Sequence, residues 1–320
     1  MENFTNIERN EQSPLEHTST RCSRVYQLMR SNANFNLTLV ALSAGNIPLS
    51  ITTSLANALI LVALRRECSL HPPSRFLFRC LALSDLFVGL VAQPGFVVYL
   101  LSLLKGRWKL ACFIEAFEHV VGAVLIGLSL CILTAITIDR LLALVLRLRY
   151  RTVVTVSRVR KLIVLVLVLA IAVASTSLWK EKLFFALIFV FVFLSGIIST
   201  FCYLKMFFTL RRQGRIQNEL HQQTNQGTNS PLNMRRFQKT VTSVLWIHGA
   251  LILCFFPFAV DKAVNSIVKN NSYFLHVELW TITLAYCNSF LNPIIYCWRM
   301  PKIREVVTET LKNIFRQQVW

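Results

Sequence analysis

The 320-residue chain is 54% hydrophobic and only 15% charged, too little charge to solvate the surface of a soluble domain of that length. Its formal net charge of +19 raises nucleic acid as a partner, but the Lys and Arg residues stand in short loops between apolar runs rather than on one solvated face, which argues against it. A membrane protein remains, whose spanning backbone satisfies its own hydrogen bonds as helices.

Residues 1–36 are polar, with Glu2, Glu8, Glu11 and Glu16 spread among them, so they are expected to form a tail rather than a cleavable signal peptide. Seven apolar stretches follow, at roughly 37–64, 76–104, 109–142, 162–178, 183–208, 240–260 and 274–298, each near the length of about 20 residues that crosses the hydrocarbon. The run 162–208 is broken only by Trp179, Lys180, Glu181 and Lys182. As one helix it would be about 70 Å long against a bilayer core of about 30 Å, so a tight turn and two spans are predicted. Residues 211–236 are rich in Gln, Asn and Arg and are expected to be a disordered loop. In 299–320, Ile303, Val307, Leu311 and Ile314 recur at helical spacing between Lys302, Arg304, Lys312 and Arg316, which predicts an amphipathic helix on the membrane surface. The expected fold is an all-α membrane protein: a seven-transmembrane helix bundle over 37–298 with a short amphipathic C-terminal helix.

Charge sets the expected orientation. One group of loops carries Arg65, Arg66 and Arg75, then Arg147, Arg149, Arg151, Arg158, Arg160 and Lys161, and later Arg211, Arg212, Arg215, Arg235, Arg236 and Lys239. That side is read as cytoplasmic. The three N-x-Ser/Thr sequons, at Asn3, Asn36 and Asn270, fall on the opposite side, as glycosylation requires. The amino terminus is therefore expected outside and the carboxyl terminus inside.

Polar side chains deep in apolar spans are costly and need a partner or a task. Asp85 stands in Leu83-Ser84-Asp85-Leu86, Asn57 in the first span, Ser129 in the third, and Asn288 and Asn292 in the seventh. Helix-to-helix polar contacts are worth about 1 kcal/mol in a membrane, enough to account for the amides and for Ser129. A carboxylate needs more: a proton or a cation, so Asp85 reads as a hydrated cation or proton site. Asp139-Arg140 marks the inner end of the third span, and Pro94, Pro257 and Pro293 each remove a helix hydrogen bond and kink a span. Most of the nine cysteines lie in apolar runs as small buried hydrophobes. The six histidines are scattered, with no metal-ligand spacing, nucleophile elbow or phosphate-binding loop, so no enzyme is expected.

Together these residues resemble the rhodopsin-like G-protein-coupled receptors over nearly the whole chain. Asn288-Ser289-Phe290-Leu291-Asn292-Pro293-Ile294-Ile295-Tyr296 matches that family's seventh-helix motif, and Cys254-Phe255-Phe256-Pro257-Phe258 its sixth. Leu83-Ser84-Asp85-Leu86, Asn57, Asp139-Arg140-Leu141 and Tyr203 fall at the corresponding places in the other helices. The resemblance implies a plasma-membrane receptor that binds an extracellular ligand, swings its sixth helix about Pro257 and opens a cleft for a heterotrimeric G protein. It assigns the switch to Asp139, Arg140, Tyr203, Phe255, Pro257, Asn292, Pro293 and Tyr296. It places a sodium ion or waters among Asn57, Asp85, Ser129, Asn288 and Asn292, and implies no other cofactor.

Departures from the family pattern are specific. Leu141 replaces the aromatic after Arg140, Phe255 replaces the tryptophan before Pro257, the fifth span has no proline, and at the start of the sixth span no acidic residue stands before Lys239 to pair with Arg140. The loop after the fourth span has no cysteine, so the usual disulfide cannot form there. Cys112 lies about one turn further from Arg140 than the usual third-helix cysteine, and Cys22 is its candidate partner outside. The short second outer loop and the fifth span are similar to those of melanocortin and cannabinoid receptors, and Pro94 to that of adenosine receptors. Gly122 stands where amine receptors carry an aspartate, which argues against a monoamine. Glu115, Glu118, His119, Asp261 and Glu278 lie near the outer mouth; they either read a peptide or nucleoside or are solvated rim charges, and a lipid ligand entering between helices is a third option. The competing functions are a decoy or partner receptor that does not couple to G proteins, and a small-solute channel or transporter.

Overall fold

The computed structural model describes residues 35–66, 70–223, 249, 253–261, 264, 272–299 and 301–317. Helix α1 spans Phe35–Arg66 and ends on Arg65 and Arg66, cations that suit the partial negative charge of a helix C-terminus. Helix α2 runs over Pro72–Leu104. It starts on Pro72 and Pro73, where a missing N–H costs nothing, and contains one π-helical turn at Val88–Ala92. A turn through Lys105, Gly106 (φ 65°) and Arg107 leads to α3, Trp108–Leu146. Thr155 caps α4, Val156–Ser175, by accepting from the Arg158 N–H.

The chain breaks at Trp179 and Lys180 before α5, Glu181–Gln223. Residues 211–223, expected to be disordered, are therefore helical. Arg211, Arg212, Gln213, Arg215, Gln217 and Glu219 are good helix formers, and no proline interrupts them before Pro231. Polar composition misled here because a helix already formed upstream needs no new nucleus to continue. The rest of that loop, 224–236, lies outside the described residues, as do Asn3, Cys22 and Asn270. Helix α6 is described over 253–261; α7 spans Ser272–Arg299 and α8 Pro301–Gln317.

Among the described residues, four helical stretches are long and apolar enough to cross a membrane by length and composition: Phe35–Arg66, Pro72–Leu104, Trp108–Val153 and Leu183–Arg215. With α4, α6 and α7 they make a seven-helix membrane bundle. The outward faces are apolar: Val164, Leu165, Val168 and Leu169 on α4, and Phe193, Phe201 and Phe208 on α5, are exposed. A soluble protein rarely presents such a patch, whereas lipid accepts it.

Inside, two apolar clusters are stacked along the bundle. One, toward the Arg140 end, joins Ile60, Leu81, Leu133, Ile136, Tyr296 and Ile303; the other, toward Cys112, joins Leu39, Phe96, Leu100, Leu279 and Tyr286. Between them four helices turn polar: Asn46, Ser50, Thr53 and Asn57 of α1, Asp85 of α2, Ser129 of α3, and Asn288, Ser289 and Asn292 of α7 are all buried. The π turn sits at this layer. Ser50 donates its hydroxyl to the Gly89 carbonyl at 2.8 Å. A Cβ on Gly89 would lie 2.5 Å from Ser54 Oγ and 2.9 Å from its backbone nitrogen, so only glycine lets α2 lie this close to α1. Helix α8 packs on α1 and the end of α7 through buried Ile303 and the partly buried Val306 and Val307.

Candidate functional site

Asp85 is fully buried. Its Oδ1 accepts from Ser129 Oγ at 3.0 Å and Ser289 Oγ at 2.8 Å, and its Oδ2 from Asn292 Nδ2 at 2.7 Å. Three neutral donors from two other helices converge because α3 and α7 each turn one polar residue stripe toward α2. Bonds of this kind are worth about 1 kcal/mol each in a membrane, while an ionised carboxylate at mid-depth costs about 2.5–3.5 kcal/mol. The donors thus come close to offsetting the charge, with little margin. Around them several polar atoms have no partner: both side-chain atoms of Asn288, Oδ1 of Asn57, and the Tyr296 hydroxyl. Asn57 itself does not reach Asp85; its Nδ2 donates to the carbonyls of Thr53 (2.9 Å) and Ser289 (3.1 Å). Among the described residues no set of three His, Cys, Asp or Glu side chains is arranged to hold a metal ion. One carboxylate ringed by hydroxyl and amide oxygens suits a weakly held hard cation with its water, not a transition metal.

At the other end of the core, Asp139 is buried and tied down by two hydroxyls: Ser74 Oγ donates to Oδ2 at 2.7 Å and Tyr150 OH to Oδ1 at 2.6 Å. The two hydroxyls lie 3.2 Å apart. Tyr150 reaches back because the chain leaves α3 through Arg147 at φ 45°, a sparsely populated conformation costing a non-glycine residue about 1–3 kcal/mol. Arg140 Nε is 3.8 Å from Asp139 Oδ2, a loose pair. Its guanidinium carbon stands 5.5 Å above the centre of the Phe78 ring, within range of a cation–π attraction. Phe78 in turn meets Tyr296 edge-on at 5.1 Å, and Arg140 Nη2 is buried without a partner. Arg140, Phe78 and Tyr296 form one stack.

Above the polar layer lies a cavity of about 70 Å³ between α3, α5, α6 and α7. Glu118 and His119 are at its upper end, and Ile126, Leu130 and Phe255 at its floor. A second, smaller cavity shares Glu118 and His119 and adds Glu115 and Glu278. Tyr286 donates its hydroxyl to Glu118 Oε1, and both residues are buried. His119 packs against Phe184, ring centres 4.9 Å apart.

The sequence-expected residues therefore divide. Asp85, Ser129 and Asn292 meet, as do Asp139 and Arg140, and Glu115, Glu118, His119, Gly122 and Glu278 line the cavities. Asp261 is buried but lines neither. Tyr203 packs beside Leu141 and Leu144 without a hydrogen bond to Arg140. Pro257 and Pro293 lie within α6 and α7. Cys112 is disulfide-bonded, while Asn36 is exposed in the first turn of α1. Sequence reasoning passed over Ser289, Ser74, Phe78 and Tyr286. Ser289 carried a usable signal: it is three residues before Asn292 and so shares its helix face.

Comparison with known proteins agrees with this arrangement. The model of the 7 transmembrane receptor (rhodopsin family) matches residues 56–182 and 173–296, most of the chain. The probable G-protein coupled receptor 63 of Homo sapiens is 28% identical over 81 residues, 24% of this chain and 19% of that protein. The probable G-protein coupled receptor 45 of Mus musculus is 31% identical over 81 residues, 24% of this chain and 22% of that protein. The matched stretch thus spans about a fifth of the length of these relatives. With the Asp85 layer, the Arg140 stack and the family match in agreement, the chain belongs to the rhodopsin family of seven-transmembrane receptors.

Proposed function

We propose that this receptor sits in the plasma membrane with its amino terminus outside, binds an extracellular ligand in the cavity below Glu118, and activates a heterotrimeric G protein at its Arg140 end. The observation that carries this reading is the Arg140 stack: an arginine held by one loose ion pair and one ring face is a group that can be released at small cost. The Phe78 contact is worth about 1 kcal/mol, and at 3.8 Å the Arg140–Asp139 pair is too long for a hydrogen bond. A ligand that prefers one arrangement by a few kcal/mol is enough to shift such an equilibrium. Phe255 offers the mechanical link, since it lines the cavity floor and also packs in the cluster containing Ile136 and Tyr296. Asp85, Ser129 and Asn292, with the unpaired oxygens of Asn57 and Asn288, are the residues that would hold a sodium ion, which would supply the positive charge their carboxylate lacks.

Nucleotide exchange on a panel of G proteins in membranes containing the receptor tests this reading. Wild type is compared with Arg140→Ala at matched surface expression, with and without peptide, nucleoside and lipid pools. Exchange that falls at least ten-fold in the variant supports a coupling receptor. Exchange in neither protein overturns it in favour of a non-coupling partner receptor, the reading that Leu141 and Phe255 favour by departing from the family motifs, and equal exchange in both overturns the role given to Arg140.

A further inference from the structure

The cavity wall has a gap on α3 with a carboxylate folded into it. Gly122 faces the space where a side chain would project, and a Cβ there would lie 3.0 Å from Glu118 Oε1 and 3.2 Å from the Tyr286 hydroxyl. Glu118, one turn earlier on the same face, fills that space and is held by the Tyr286 hydroxyl. The absence of an acid at 122 therefore does not leave this level of the cavity without one. From here the cavity runs down α3 past Gly127, where a Cβ would meet nothing within 4 Å, to Leu130 and Phe255. Its polar groups are thus gathered at one end, and the remainder is hydrocarbon and aromatic ring.

We infer that the cavity takes a small organic cation, a protonated amine or amidine whose charge pairs with Glu118 and whose aryl or alkyl body lies along Gly127 toward Phe255. The inference rests on the receptor reading above and names the ligand class for that site. Three features carry it. Glu118 is more than nine-tenths buried yet borders both cavities, so a ligand charge placed there acts in a poorly screened setting. The neighbouring cavity adds Glu115 and Glu278, so among the described residues three acids and one histidine, His119, border it. Among the described residues the lower part of the cavity is lined by Ile126, Gly127, Leu130 and Phe255, which offer apolar contact and no side-chain hydrogen bond to recognise a polar body.

The test uses the full chain in lipid nanodiscs, with thermal unfolding read against three probes of matched size: 4-phenylbutylammonium, 4-phenylbutanol and 4-phenylbutyrate. The ammonium is expected to raise Tm saturably in the wild type, the alcohol weakly and the carboxylate not at all. Glu118→Gln retains the acceptor for Tyr286 and removes only the charge; it should weaken ammonium binding at least ten-fold. Gly127→Leu, remote from Glu118, should weaken the ammonium and the alcohol alike by filling the apolar end, and it serves as the second variant should Glu118→Gln fail to fold. A carboxylate that stabilises as strongly as the ammonium, ammonium binding within two-fold of wild type in Glu118→Gln, or no shift with any probe each overturns the assignment. These failures leave Arg140-dependent exchange untouched. Conversely, Glu118-dependent binding without any exchange would overturn the receptor reading and keep the ligand class.

Discussion

Asp85 and Asp139 are both buried acids fed by neutral donors from other elements, yet they are built for different behaviour. Asp139 has a hydroxyl on each oxygen, the two hydroxyls touch each other, and Arg140 stands beside it. Asp85 has one donor more, but the layer around it holds polar atoms without a hydrogen-bond partner, namely both of Asn288, Oδ1 of Asn57 and the Tyr296 hydroxyl. The first is a closed knot whose release is all-or-none. The second is an open, polar space in which small rearrangements and guests are cheap, because each bond lost can be replaced by one of the idle groups nearby. A receptor needs both: a latch at one end and a compliant layer that lets the helices shift relative to one another.

Graded substitutions can break or sharpen this contrast. The largest effect is expected for Asp139→Ala, which leaves Ser74 and Tyr150 facing a void and Arg140 without its acid; about 3 kcal/mol of stability should be lost and basal nucleotide exchange should rise several-fold. Stability within about 0.5 kcal/mol of wild type would show that no knot exists. Tyr150→Phe removes one bond to a charged group, worth about 1.5–3 kcal/mol, and should lower Tm by less than Asp139→Ala while still raising basal exchange. Phe78→Leu loses the ring under Arg140, worth about 0.5–1 kcal/mol, together with the edge contact to Tyr296, and should raise basal exchange while lowering Tm by less than Tyr150→Phe. Asp85→Asn should be the mildest for folding, under about 1 kcal/mol, since amides make comparable bonds in a membrane. In wild type, sodium chloride should raise Tm relative to choline chloride, and in Asp85→Asn that difference should vanish. A persistent sodium effect would close the compliant layer to cations.

Much of this was legible from sequence, for a physical reason. A charge or amide inside an apolar run stands out because its burial is expensive, and that singled out Asp85, Asn288 and Asn292 before any geometry was known. Ser74 and Ser289 gave no such signal, since a serine can bond the carbonyl of its own helix at little cost and its placement is therefore uninformative. Tyr150 lies outside the spans, and only the turn at Arg147 brings it under α3, a conformation no spacing rule reports. Gly122 read as an absence until the Glu118 side chain was seen lying over it. The extension of α5 was misjudged because composition alone does not register a helix already under way.

The π turn at Val88–Ala92 has a consequence for how the chain can vary in length. In a regular helix each residue advances about 100°, so deleting one residue elsewhere in α2 would swing Phe96 and Leu100 away from their cluster while Asp85 stayed in place. Within the π turn the outcome differs, because the turn already holds one residue more than an α-helical turn uses. A single deletion there would let the backbone close as ordinary helix with both flanks still facing as before. Helix α2 therefore contains one position where a one-residue gap is tolerable, at the expense of the close approach between Gly89 and α1.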